Sequence, residues 1–308
     1  MIACWTTRLP AQDYPLEYPC YSLETAPHLD GKLDDAAWRA VPESSGFLVL
    51  STDKRAVKAT IFKAGWTGKA LYIAVRCREE SPAEMRAGQA DGGAVYLDDS
   101  IEMLFNRPAV RSEIYRQLVM NSNGARCNLL NGTPVPNWPW EVKTVVGAAE
   151  WSLEARIPFA SFGATAPQKN TWWLVNIARN ITTGDPEEHY TCWPPLKAGF
   201  ADIQNFGRFV FLRETPGPDS YRRFLADAVR KETGPLRKNR SFLLKGLAIP
   251  RSKPEAVRLL EIATRSEGLL TRSDVPIADL ECFVEQNKRL GALAGELRSL
   301  VQMESLFE

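Results

Sequence analysis

The chain has 308 residues, enough for two domains with cores of their own. Its 38 Lys and Arg against 37 Asp and Glu leave a formal charge of +1, and no polybasic run occurs. That balance points away from nucleic acid and from anionic membrane surfaces as partners. Hydrophobic residues at 44% and charged residues at 24% are ordinary for a globular protein, and no apolar run approaches the roughly 18 residues that span a bilayer.

The chain opens Met1-Ile2-Ala3-Cys4-Trp5-Thr6-Thr7-Arg8, which has no basic start followed by an apolar stretch and does not read as a secretion signal. By that criterion the chain is expected in the cytoplasm, unless a signal has been removed. Six cysteines (Cys4, Cys20, Cys77, Cys127, Cys192 and Cys282) are scattered without CxxC pairing, so a zinc cluster is not expected. Cys77 and Cys127 fall in strand patterns and read as buried thiols. Cys4 and Cys20 are the pair that a disulfide would join in an oxidising compartment.

Strand patterns then follow in order. Residues 71–77 alternate strictly, with Leu71, Ile73, Val75 and Cys77 on one face. Residues 100–105 put Ile101, Met103 and Phe105 on one face and Glu102 on the other. Further strands read at 58–62, 115–121, 125–130, 141–146, 151–157, 173–180 and 207–212. Asn123-Gly124, Asn131-Gly132 and Thr183-Gly184-Asp185-Pro186 mark turns between several of them. Many short strands with almost no helix between them predict a mainly β fold, a two-sheet antiparallel β-sandwich with a jelly-roll-like arrangement.

Composition changes at Glu214-Thr215-Pro216-Gly217-Pro218, so residues 1–213 are assigned to the sandwich and 214–308 to an appended α-helical domain. A first helix is expected from Asp219-Ser220 to about Thr233, ended by Gly234-Pro235. A second should begin at Pro254 and stop before Gly268. In the last, Leu280, Phe283, Asn287, Leu290, Ala294, Leu297 and Val301 form a heptad seam. That seam serves either packing within a small bundle or a homodimer through the C-terminal helix.

Several segments, taken in order, resemble the family 9 carbohydrate-binding modules. They are His28-Leu29-Asp30-Gly31-Lys32-Leu33-Asp34-Asp35-Ala36-Ala37-Trp38, then Trp66-Thr67-Gly68-Lys69-Ala70-Leu71-Tyr72, then Asp98-Asp99-Ser100-Ile101-Glu102-Met103-Leu104-Phe105. Residues 117–124, 151–162 and 173–179, Trp193 and Phe206-Gly207 continue the pattern, which covers about 190 residues and none of the helical tail.

The resemblance implies an all-β module that binds a carbohydrate without catalysis, and an extracellular setting. It implies a sugar clamped between two aromatic rings at Tyr96 and Phe200, where the family usually has Trp. Glu102 matches a sugar-contacting position, and Val119 stands where the family often carries Arg. Gln117 and Asn121 share one face of their strand and could converge with Glu102. Trp193, Trp138 and Trp140, in Pro-rich loops, could supply a replacement stacking surface, whereas Trp38, Trp66, Trp151 and Trp173 read as packing. Asn176 and Arg179 read as structural. Asp98, Asp99 and Asp202 are the oxygen ligands available to a structural calcium ion, but no spaced Asp/Asn loop is present and no cofactor is expected.

Two other functions are open to this sequence. A glycoside hydrolase would need a carboxylate pair, and Glu102 with Glu154 or Asp99 is the pair to nominate. The two histidines, His28 and His189, stand beside no evident nucleophile, and no Gly-x-Ser-x-Gly, P-loop or His-Glu-x-x-His occurs. The other alternative is a degenerate module that works in protein assembly through its helical tail.

Overall fold

The structure is a computed structural model that describes residues 16–238 apart from Ser45, Asp53, 108–112, Asn137 and Pro218, together with Val257, Glu261, Gly268 and Val284. Pro15–Pro218 form one compact unit, and the chain from Asp219 onward belongs to another.

The first unit holds strands β1 (Glu17–Ser22), β2 (Leu48–Val49), β3 (Thr60–Trp66), β4 (Ala70–Arg78) and β5 (Ser100–Asn106). They are followed by β6 (Arg116–Asn121), β7 (Arg126–Leu130), β8 (Thr133–Pro134), β9 (Glu141–Val146) and β10 (Glu150–Pro158). The last are β11 (Trp172–Asn180), β12 (Tyr190–Cys192) and β13 (Gly207–Leu212), and one short helix, α1 (Ala36–Arg39), precedes β2. The hydrogen-bonded order is β8-β7-β6-β5-β11-β13-β1-β3-β4-β10-β9, with β12 pairing β11 and then β2.

The strands form one continuous, curled sheet whose two halves face each other across the core, which is consistent with the expected β-sandwich. The sheet is also mixed, because β1 runs parallel to both β13 and β3. Hairpins force neighbours in sequence to be antiparallel. β1 and β13 are the first and last strands of the unit, so no turn dictates their direction.

Curling brings the inward faces of both halves onto one core. Ile101, Met103 and Phe105 of β5 and Val175 and Ile177 of β11 join Leu71, Ile73 and Val75 of β4 and Leu153 and Ile157 of β10 in a single cluster. The four tryptophans read as packing, Trp38, Trp66, Trp151 and Trp173, are all buried. The opposite face of β4 is covered as well. Tyr72 and Ala74 pack with Leu23, Trp38 and Val41, so the segment carrying α1 forms a second, thinner layer outside the sheet.

Cys20, Cys77, Cys127 and Cys192 are free buried thiols. Cys20 lies in the main core, where burial pushes its thiol well above the usual range, and the expected partner Cys4 lies outside the described residues.

In the second unit α2 spans Ser220–Lys238 and carries Gly234-Pro235 within it, where those residues were expected to end the helix. A proline inside a helix removes one backbone hydrogen bond, a local loss that helix-forming neighbours can continue past. The heptad seam lies outside the described residues. Val257, Glu261, Gly268 and Val284 are helical, including Gly268, which was expected just beyond a helix end. Among the described residues no helix is long and apolar enough to cross a membrane.

Candidate functional site

Strand β5 turns Ile101, Met103 and Phe105 to the core, which leaves Ser100, Glu102 and Leu104 on the outer face. Register then decides what joins them. Glu102 stands opposite Val119 of β6 and Ala178 of β11, Leu104 opposite Gln117 and Asn176, and Ser100 opposite Asn121 and Asn180. Directly opposed residues point to the same side of a sheet, so all of these share the outer face.

Glu102 is only 4% exposed. Asn180 Nδ2 donates to its Oε1 at 2.7 Å, and Gln117 Nε2 donates to its Oε2. Burial raises the Glu102 pKa, and the two amide donors offset that only in part. The Tyr115 phenol is raised too, by burial first and then by the charge of Glu102. Among the described residues no cationic side chain pairs with this carboxylate.

Two connecting elements lie over this outer face. On one side the short turn Val95–Leu97 buries Val95 against Val119 and Cys127, leaving Tyr96 40% and Leu97 55% exposed. On the other, β12 carries Tyr190, 55% exposed, whose ring meets Phe200 edge-on at 6.0 Å and 75°. Phe200 is half-buried beside Leu104 and Phe206, and its carbonyl accepts from Asn176 Nδ2 at 2.9 Å.

Of the residues singled out from sequence, Glu102 and Gln117 meet directly, and Tyr96 and Phe200 lie on elements that cover the same outer face. Asn121 shares that face, but its groups are engaged at the strand end. Its Nδ2 donates to Asp98 Oδ2 at 2.9 Å, and its Oδ1 accepts from the Asn123 and Ala125 amides. Asn176 Nδ2 donates to the Phe200 carbonyl, and Arg179 is buried and paired with Glu79.

Trp193 is corrected outright. It is 2% exposed and packs edge-on against Phe62 at 5.1 Å and Tyr18 at 6.3 Å, so it presents no face to a ligand. Trp140 is buried and donates to Asn128 Oδ1, and the Arg116 guanidinium covers the Trp138 ring at 5.3 Å. Neither is a replacement platform.

Sequence reasoning missed Asn180 and Tyr190. Alternation counted on from Asn176 would have put Asn180 on this face. A three-residue strand has no periodicity to reveal Tyr190.

The remaining acids do other work. Asp98 accepts from the Gln89 amide and Asn121, Asp99 from the Arg86 and Thr182 amides, and Asp202 from the Lys197 and Ala198 amides and Asn205. Asp98 Oδ2, both Asp99 oxygens and Asp202 Oδ2 are thus engaged by N–H donors, while Asp98 Oδ1 is buried without a hydrogen-bond partner among the described residues. Among the described residues no three His, Cys, Asp or Glu side chains gather as a metal site requires.

The nominated acid–base pair is also corrected. Leu153 and Ala155 of β10 face the core, so Glu154 projects from the outer face of the opposite half of the sheet, with the core between it and Glu102. Both Glu154 oxygens are taken by Trp38, Asp30 and Gly31. Asp99 is held by Thr182 and the Arg86 amide.

No protein-family model matches the chain, and no curated protein matches it. Among solved structures, a putative carbohydrate-binding protein from Bacteroides uniformis has a similar fold, with a TM-score of 0.52 and 14% identity over 64% of this chain and all of that one. A family 9 carbohydrate-binding module from Caldicellulosiruptor kristjanssonii in complex with cellotriose gives 0.49 and 16%, over 66% of this chain and 96% of that one. The same module with glucose gives 0.48 and 16%, over 65% and 98%. Likeness at this identity is likeness of fold.

Proposed function

We propose that residues 16–213 are a non-catalytic carbohydrate-binding domain that holds a sugar over the outer face of β5, β6 and β11. The region from Glu214 onward is then a separate helical unit. The observation that carries this reading is Glu102, a buried carboxylate held by two neutral amides at the foot of a face lipped by Tyr96 on one side and by Phe200 on the other.

The other two buried glutamates among the described residues are engaged by structural partners. Glu79 is paired with Lys58 and Arg179, and Glu154 receives three N–H bonds. Glu102 receives two, from side chains that keep further polar capacity of their own. A carboxylate acceptor beside amides suits sugar hydroxyls, each both donor and acceptor, while aromatic rings suit the C–H faces of a pyranose. Tyr and Phe at the clamp positions offer smaller rings than Trp, which suits modest affinity.

Isothermal titration of the full chain with glucose, xylose, cello-oligosaccharides and xylo-oligosaccharides tests this. Heat with at least one of them, reduced about tenfold or more in affinity by Glu102→Gln, is the expected result. A chain that binds none of these sugars, or releases product from the oligosaccharides, contradicts the reading.

A further inference from the structure

The outer face does not stop at Asn180. Register lays one transverse row of side chains over it: Asn121 opposite Ser100, Ser100 opposite Asn180, and Asn180 opposite Tyr190. One step beyond the Thr191–Val49 pair, the Leu50 amide donates to the Tyr190 carbonyl at 2.9 Å, so Leu50 continues the row. Neighbouring strands are about 4.8 Å apart, which puts Leu50 about 10 Å along the row from Asn180.

Leu50 belongs to two environments. It packs on the apolar cluster of Leu104 and Phe200, and it lines a groove of about 430 Å³ together with Thr52, Lys54, Asp185 and Glu187. That volume is within the range of small-molecule sites. The Tyr190 and Phe200 rings stand 75° apart, so they cannot both lie flat on one pyranose. If the sugar over Glu102 takes Phe200, the exposed Tyr190 ring is left for a neighbouring unit.

The groove is polar and acidic. Lys54 Nζ meets Glu187 Oε2 at 3.1 Å, Asp185 Oδ1 takes the Glu187 amide, and Glu188 takes the Val57 amide. Three carboxylates against one ammonium give hydroxyl groups both donors and acceptors, and repel an anionic sugar.

We propose that Tyr190 and the groove beside it form a second subsite, which takes the next unit of a neutral oligosaccharide and disfavours uronic acid chains. This rests on the reading of the Glu102 face as a sugar site. The test is titration of the full chain with glucose, cellotriose, xylose, xylotriose and trigalacturonate, repeated with Tyr190→Ala, Tyr190→Phe and Lys54→Ala.

The wild type is expected to bind a neutral trisaccharide about tenfold more tightly than its monosaccharide, and trigalacturonate more weakly than either trisaccharide. Tyr190→Ala should remove most of that advantage and leave monosaccharide affinity unchanged, Tyr190→Phe should keep it, and Lys54→Ala should lower it. Monosaccharide and trisaccharide of equal affinity in the wild type overturn the second subsite alone, as does a Tyr190→Ala variant that weakens both sugars equally or neither. A wild type that binds no sugar overturns the Glu102 site and the subsite with it.

Discussion

The indole N–H of Trp38 donates to Oε1 of Glu154 at 2.7 Å in a buried contact between residues 116 apart in sequence. The Asp30 and Gly31 amides donate to the other oxygen at 3.0 Å each. Gly31 has φ +85°, and a Cβ there would stand 2.8 Å from the Thr144 carbonyl carbon on β9. The Asp-Gly turn and the tryptophan eight positions from Asp30 therefore share one purpose, which is to seat the outer layer on a single carboxylate.

Glu154→Ala leaves three N–H donors, two of them in buried contacts, without their acceptor at once. It should cost about 3 kcal/mol of unfolding free energy, and Glu154→Gln, which keeps one acceptor oxygen, roughly half of that. Urea unfolding followed by tryptophan fluorescence measures both. An alanine variant within 1 kcal/mol of wild type would mean that the contact only accompanies packing.

Arg179 is fully buried. It donates to the Arg78 carbonyl at 2.9 Å and to Glu79 Oε2 at 3.2 Å, while Lys58 Nζ meets Glu79 Oε1 at 2.7 Å. Burial pushes the Glu79 carboxyl up, but hydrogen bonds from Lys58 and the Ser81 amide and the charges of Lys58 and Arg179 outweigh it and hold the pKa below the usual value. A depressed carboxyl contributes stability that is present above the unfolded pKa, about 4.3, and lost as pH falls toward the folded one. Arg179→Met should cost about 3–5 kcal/mol by leaving Glu79 short of a partner. Glu79→Gln should flatten the loss of stability below about pH 4.3. An unchanged acid slope in Glu79→Gln would assign that slope to other carboxylates.

What the sequence revealed, and what it hid, follows one physical division. Alternation is local, so β9 and β13 were legible to the residue, and β4 and β5 to within one position at each end. β1 has four consecutive buried residues, Tyr18 to Tyr21, with Pro19 among them, so it carries no period to read. Strands β2, β8 and β12 are three residues or shorter. The site splits in the same way. Glu102 and Gln117 were visible as the outward positions of their strands. Asn180 reaches Glu102 across 78 residues of sequence, and no local pattern encodes that pairing. Trp193 misled because a Pro-rich loop suggests exposure, whereas the space that buries it is opened by a residue 14 positions away.

That residue is Gly207. A Cβ built on it would stand 2.8 Å from Cη2 of Trp193 and 3.1 Å from the Leu16 carbonyl oxygen. Trp193 is itself locked among Tyr18, Phe62 and Phe209 and cannot retreat. Gly207→Ala should therefore destabilise the domain by about 1–3 kcal/mol through overpacking. A double variant with Trp193→Phe should recover part of the loss, a coupling that chemical denaturation can measure. Equal stability of Gly207→Ala and wild type would show that the ring moves freely.

Glu102 couples stability and binding with opposite signs. Burial raises its pKa, so the folded state holds the proton more tightly than the unfolded chain. Between the unfolded pKa, about 4.3, and the raised folded one, the native state binds more protons, and stability falls as pH rises. Above that window the buried charge is a standing cost, compensated only by Asn180 and Gln117. Glu102→Gln should then stabilise the domain at pH 7 by about 1 kcal/mol, because its amide can donate to one neighbour and accept from the other once Gln117 turns its amide over. Sugar affinity should move the other way. It should weaken in the variant at pH 7, and in the wild type as pH falls through the same window, because the acceptor for the sugar hydroxyls is the ionised form. Urea midpoints and isothermal titrations at pH 4, 5.5 and 7 report the two quantities side by side. A Glu102→Gln variant that is less stable at pH 7 yet binds sugar as well as wild type would make this carboxylate a structural group, with Asn180 and Gln117 its reason for being there.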